Sequence, residues 1–299
     1  MTNNQTVSSD ALPVPRHETF GGRLRAGLGI IHGMRSKPAV HELGGAGSLV
    51  LFGHAAGMHG RVWAPIAARL ADRVRAVAVD LRGHGDTPAG QGPLSWQWFG
   101  DDMRVAATDL GGPLIGVGHS FGATSMLIAE HDRPGTFAGL VLYEPALVER
   151  VEEADEQRRA LMVRSTRRRR VRFADLAEAR EHATAKPPTN VLHPEVLDAY
   201  LAHGFTAQPD GSVVSKCAPE LEADVYATAN PEWWPYVRPV GCPVTVVVGG
   251  ESEPRHRRTT RRAAERIGAS LHVMPDVGHF GPLQEPDRFA ELVRGAIGR

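Results

Sequence analysis

Cysteine is nearly absent from this 299-residue sequence: Cys217 and Cys242 are the only two, and neither stands in a C-x-x-C pair or among ligand-spaced histidines. A disulfide framework is excluded, and a structural metal is not expected. Net charge is absent too, with 34 basic and 34 acidic side chains. No overall field draws the chain to nucleic acid or an anionic membrane, so a small-molecule partner is expected. No apolar run approaches the roughly 18 residues of a membrane span. Residues 1–22 lack the basic start and apolar stretch of a signal peptide, and are expected to form a flexible tail on a cytoplasmic protein.

What is present is an alternation of apolar runs. Strand-like segments at 23–34, 39–43 and 48–52 come first, separated by glycine or turn clusters. Helical and strand patterns then alternate, with helices expected at 62–70, 96–109 and 123–131 and strands at 74–79, 114–118 and 139–143. After residue 239 the pattern resumes with strands at 244–248 and 270–274 and helices at 259–267 and 287–297. Strands alternating with helices predict an α/β fold with a mostly parallel sheet covered on both faces. Between 146 and 238 the alternation is lost, and a helical, charged, proline-interrupted insertion is expected, placed as a cap over the carboxyl ends of the strands. The core is then 23–145 plus 239–299. Within the insertion, acidic residues Glu149 to Glu156 precede the basic run Arg167 to Arg170. The order suits a solvated helix complementing its own dipole better than an anion-binding patch.

The chemistry centres on Gly118-His119-Ser120-Phe121-Gly122, which follows a buried strand and precedes a helix. G-x-S-x-G in that setting is a sharp turn that pushes the serine hydroxyl out of the sheet, and its glycines remove side chains that would strike neighbouring backbone. The Phe121 amide opens the next helix and points where an oxyanion would form. Near the C-terminus, His279 follows the last strand in Pro275-Asp276-Val277-Gly278-His279. A neutral imidazole there is placed to take the serine proton and return it to a leaving group. A third motif, Phe52-Gly53-His54-Ala55-Ala56-Gly57, ends the strand at 48–52, ahead of Trp63.

The order His54…Trp63, Asp80-Leu81-Arg82-Gly83-His84-Gly85, Gly118-His119-Ser120-Phe121-Gly122 and Gly278-His279 resembles the α/β-hydrolase fold family, in particular its capped esterase, lactonase and cofactor-free haloperoxidase-like members. The resemblance implies a mostly parallel eight-stranded sheet with an inserted cap. It makes Ser120 the nucleophile, His279 the base, and the Ala56 and Phe121 amides the oxyanion hole. His54 would brace its loop, the Asp80–Gly85 run would be scaffold, and His119 would support the pocket.

The family places its acid after either of two strands. In the commoner place, an ungapped match to its G-x-x-D turn puts Ser252 at the acid position, and a one-residue shift brings in Glu253, beside Glu251. The other place is the end of the strand at 139–143, where Glu144 needs no shift and its longer side chain suits the distance. Glu144 is preferred, with Glu253 as the alternative. Asp276 is set aside because chain geometry turns it from the ring.

The expected function is hydrolysis of a carboxylic ester or lactone of a small, largely apolar molecule, through an acyl-enzyme on Ser120 and without a cofactor. A serine where epoxide hydrolases and dehalogenases need a carboxylate argues against those reactions. Trp96, Trp98, Phe121, Phe205, Trp233, Trp234 and Tyr236 are candidates for an apolar pocket beneath the cap. The rival readings are a cofactor-free lyase, cyclase or perhydrolase on the same fold, and a non-catalytic small-ligand receptor.

Overall fold

The computed structural model describes residues 37–148, 153–229 and 231–298. The tail and the strand expected at 23–34 lie outside them. Among the described residues the main sheet therefore has seven strands rather than eight. They are β1 (Val40–Gly44), β2 (Ser48–Gly53), β3 (Val74–Val79), β4 (Leu114–His119), β5 (Phe137–Tyr143), β9 (Val244–Gly249) and β10 (Ser270–Met274), in the order β1-β3-β2-β4-β5-β9-β10. Only β1 runs antiparallel to its neighbour, β3; the other five pairings are parallel.

Burial on both faces is why the central strands read as unbroken apolar runs and not as alternation. In β2, Val50 and Phe52 face one apolar layer and Leu51 the other. The first layer is closed by α1 (Ala64–Leu70) and α10 (Pro286–Ile297), through Trp63, Ile66 and Phe289. The second is closed by α2 (Trp96–Asp109), α3 (Phe121–Asp132) and α8 (Pro254–Ile267). In α2, Trp96, Phe99, Met103 and Ala106 form one inward stripe, the spacing of a helix with a single apolar face. By contrast α3 is buried on every side from Phe121 to Glu130, as befits a helix held between the sheet and its neighbours. Helix α8 starts five residues before the expected Thr259, because Pro254 at its first turn is already set to a helical φ.

Between β5 and β9 the chain forms α4 (Glu153–Arg167), α5 (Leu176–Ala185), α6 (Pro194–His203) and α7 (Pro219–Thr228). It also forms a small antiparallel sheet, β6-β8-β7, from Arg172–Phe173, Val213–Ser215 and Phe205–Ala207. The insertion is thus not wholly helical; strands of two or three residues are too short to carry a period. Its basic run is paired locally, Arg167 with Asp224, Arg169 with Glu222 and Arg170 with Glu178. Among the described residues, no helix is long and apolar enough to cross a membrane.

Candidate active site

Parallel strands end on the same side of a sheet, and three of the ends converge here. Ser120 follows β4, Glu144 follows the adjacent β5, and the loop after β10 carries His279. His119 pairs with Tyr143 in the register of β4 and β5, so Ser120 and Glu144 leave the sheet at the same level. Both do so with positive φ, 53° and 41°, a conformation that costs a non-glycine residue about 1–3 kcal/mol. Backbone bonds hold each bend, from Ser120 N to Tyr143 O at 2.9 Å and from Glu144 N to Val247 O at 3.0 Å.

The glycines of the pentapeptide make the Ser120 turn possible. A Cβ on Gly118 would lie 2.6 Å from Ala123 Cα, and one on Gly122 would lie 2.5 Å from Gly53 O and 2.8 Å from His54 O. The bare Gly122 lets α3 abut the end of β2, and its amide donates to His54 O at 3.0 Å. This backbone-to-backbone contact sets the His54–Gly57 loop beside the start of α3. Among the described residues, neither the Phe121 nor the Ala56 N–H has an acceptor in the protein. The Phe121 ring is wedged among Phe99, Trp96 and His84, with centroids at 4.4, 5.4 and 5.4 Å, so its amide is held in place.

The loop around Ala56 is braced by His54. The Leu81 amide donates to His54 Nε2 at 3.0 Å, which leaves Nδ1 as the donor to Ala55 O at 2.8 Å. Burial lowers the His54 pKa to about 4, so this imidazole is neutral and structural. Asp80 accepts from the Gly60 and Asp86 amides and from His41, and behaves as scaffold.

At the centre, Ser120 Oγ lies 3.1 Å from His279 Nε2, and His279 Nδ1 lies 2.7 Å from Glu144 Oε2. The other Glu144 oxygen accepts from the Gly249 amide at 2.8 Å and from Ser252 Oγ at 2.5 Å. Burial pushes the Glu144 carboxyl upward in pKa, yet the bonds from His279, Ser252 and Gly249 outweigh it and leave it below its ordinary value. Glu253, the alternative acid, instead lies on the surface, where it pairs with Arg158. Glu251 is also exposed. The shift in register needed to bring in either glutamate does not occur, because Ser252 is buried and turned toward Glu144.

Two groups tie down the histidine loop. Tyr143 Oη donates to Gly278 O at 2.6 Å, and His119 Nε2 donates to His279 O at 2.7 Å. Burial lowers the His119 pKa to about 3, so this ring anchors backbone and carries no charge. Tyr143 read only as the last apolar residue of a strand, and Ser252 only as a missing acid. Nothing in either identity signals a role that depends on a partner more than 100 positions away.

The aromatic residues expected to line one pocket are not gathered there. Trp96 is 2% exposed and buttresses Phe121, because its place in the α2 stripe faces the core. Trp98 lines a cavity of about 560 Å³ between residues 83–94 and α7, which neither Ser120 nor His279 borders. Phe205 packs on Phe173 and Tyr200 in the insertion. Trp234 lies beneath Arg262 and Arg266 of α8, and Tyr236 bonds Gln97. The Trp233 side chain lies outside the described residues. From the insertion, Glu222 of α7 reaches Gly57 in the Ala56 loop: a Cβ there would lie 2.6 Å from its Oε1.

Known proteins share this architecture. A sequence model described as the alpha/beta hydrolase family matches residues 50–292. The chain is 29% identical over 255 residues to lipase LipV of Mycobacterium tuberculosis (strain ATCC 25618 / H37Rv), covering 83% of this chain and 93% of that one. A shorter match, 34% identical over 102 residues, is to the pimeloyl-[acyl-carrier protein] methyl ester esterase of Methylococcus capsulatus (strain ATCC 33009 / NCIMB 11132 / Bath), covering 34% of this chain and 38% of that one. Among solved structures, E-2-(acetamidomethylene)succinate hydrolase superposes with a TM-score of 0.75 at 24% identity, over 88% of this chain and 95% of that one.

Proposed function

Since the chain belongs to the alpha/beta hydrolase family, we propose that this hydrolase cleaves a carboxylic ester or lactone of a small, largely apolar molecule through an acyl-enzyme on Ser120. The observation that carries the reading is the unbroken relay from Ser120 Oγ through His279 to Glu144, at 3.1 and 2.7 Å. The names of two relatives, a lipase and a methyl ester esterase, favour esters among the acyl compounds this relay can attack.

In the first step Ser120 Oγ attacks the substrate carbonyl carbon while its proton passes to His279 Nε2. The resulting imidazolium is stabilised by Glu144 through Nδ1–H, and the oxyanion accepts from the otherwise unpartnered amides of Ala56 and Phe121. Collapse expels the alkoxide, which takes the proton from Nε2, and the acyl group stays on Oγ. Water then enters, gives a proton to Nε2 and attacks the acyl carbon; the proton returns to Oγ as the acid leaves. We take the segment between β5 and β9 as the cap that selects substrate, because its α7 reaches the Ala56 loop through Glu222.

A fluorophosphonate probe and a panel of p-nitrophenyl esters and lactones test the reading. Covalent labelling that is lost in Ser120→Ala, with turnover of the esters falling to background in the same variant, is the expected result. Substantial activity left in Ser120→Ala would replace acyl transfer with a lyase or perhydrolase reaction on the same fold.

A further inference from the structure

The relay does not use His256. This histidine stands in the first turn of α8, exposed, with its ring centroid 5.2 Å from that of His279 and the two planes 35° apart. His256, His279 and Glu144 each offer a ligand atom, and the three atoms lie within 4.8 Å of one another. We infer that these three side chains form an inhibitory site for a divalent transition cation such as Zn2+, a role that rests on the reading of His279 as the base.

The donor set decides the class of ion. Two imidazoles and one carboxylate suit Zn2+, Cu2+ or Ni2+, whereas Mg2+ and Ca2+ favour oxygen-only sites. Tetrahedral zinc at about 2.0–2.1 Å from its ligands needs them roughly 3.3 Å apart. His256, which is exposed, supplies the closure, while the 2.7 Å between His279 Nδ1 and Glu144 Oε2 must open slightly, with Glu144 held by Gly249 and Ser252. Water completes the coordination.

Inhibition follows from proton accounting at His279. If the cation takes the Nδ1 lone pair, the proton held there moves to Nε2, and Nε2 can no longer accept from Ser120. If it takes Nε2 instead, it occupies the lone pair that the serine proton needs. In the first case the ring exchanges its Nδ1–H for an Nε2–H and gives up the bond to Glu144, and in the second no covalent bond changes; in both the base is lost until the ion leaves.

Calorimetric titration with ZnCl2 tests the site apart from catalysis, using Ser120→Ala, Ser120→Ala/His256→Ala and Ser120→Ala/His279→Ala. Zn2+ is expected to bind once per chain and at least about tenfold more weakly when either histidine is removed. In parallel, the Zn2+ concentration that halves ester turnover is expected to rise at least about tenfold in His256→Ala, with little change in its metal-free rate, and Mg2+ is expected to have no effect. Equal Zn2+ affinity with and without His256, or equal inhibition of wild type and His256→Ala, would overturn the inference. If no ester is turned over at all, the hydrolase reading fails, and the titration still decides whether the ion binds here.

Discussion

Ser252 Oγ donates to Glu144 Oε1 at 2.5 Å. On the proposed reading the acid stands at the β5 end and not the β9 end, and Ser252, which matches the family's commoner acid position, supports it.

This division of labour separates three variants. Glu144→Gln is expected to lower kcat by about 10³–10⁴-fold, because an amide cannot stabilise the imidazolium and can hold the wrong tautomer. Glu253→Gln, which changes only an exposed ion pair with Arg158, is expected to stay near wild type. Ser252→Ala removes one of three donors to Glu144 and is expected to lie between them. Steady-state kinetics on one activated ester ranks all three, and loss in Glu253→Gln alone would reverse the assignment.

Stability should fall steeply as pH drops from about 6.5, the ordinary histidine value. His54, His59 and His84 are lowered to about 4 and His119 to about 3, each chiefly by burial. Between those values and 6.5 the unfolded chain binds protons that the folded chain refuses, so the folded state weakens as pH falls. Each histidine contributes a slope of up to about 1.4 kcal/mol per pH unit. Urea unfolding at pH 7, 6 and 5 measures the total, and His119→Gln should lower the slope by one proton.

Gly122→Ala should destabilise the protein by about 1–3 kcal/mol or more, since the added methyl meets the Gly53 and His54 carbonyl oxygens at 2.5 and 2.8 Å. Any protein that still folds should show a reduced kcat, because relief of the clash separates the Ala56 loop from Phe121. Thermal unfolding and ester turnover report the two effects independently.

Tyr143→Phe removes one of two donors to Gly278 O, which keeps the Gly281 amide at 3.0 Å, and leaves the ring in place. A loss of about 0.5–1.5 kcal/mol in stability is expected, the net worth of one hydrogen bond. A fall in kcat with KM nearly unchanged should accompany it, because the loop that aims His279 is loosened and the binding surface is not.

Much of this was legible in the sequence. The strands from β2 onward are long apolar runs with glycine boundaries, and the Ser120 turn is written in its flanking glycines. Glu144 is preferred to Glu253 in the sequence because it needs no shift of the family's pattern and its longer side chain suits the distance, and it lies 2.7 Å from His279. Other features lay beyond sequence reading. The short strands of the insertion carry no period, and Trp96 cannot be told from a pocket residue until its stripe is seen to face Phe121. Long-range support from Ser252, Tyr143 and His119 depends on strand order, which adjacent sequence does not state.

Because His119 and Tyr143 are partners in adjacent parallel strands, Ser120 and Glu144 are spaced by a ladder and not by loops. The separation of neighbouring strands is about 4.8 Å wherever a sheet is intact. Thermal motion that ripples the insertion or the α8 surface therefore leaves this spacing alone, and the Ser120 and Glu144 amides, bonded to Tyr143 O and Val247 O, can exchange with solvent only when the centre of the sheet opens. The spacing of Ser120 and Glu144, unlike the aim of the His279 loop, is expected to be lost only when that part of the sheet opens.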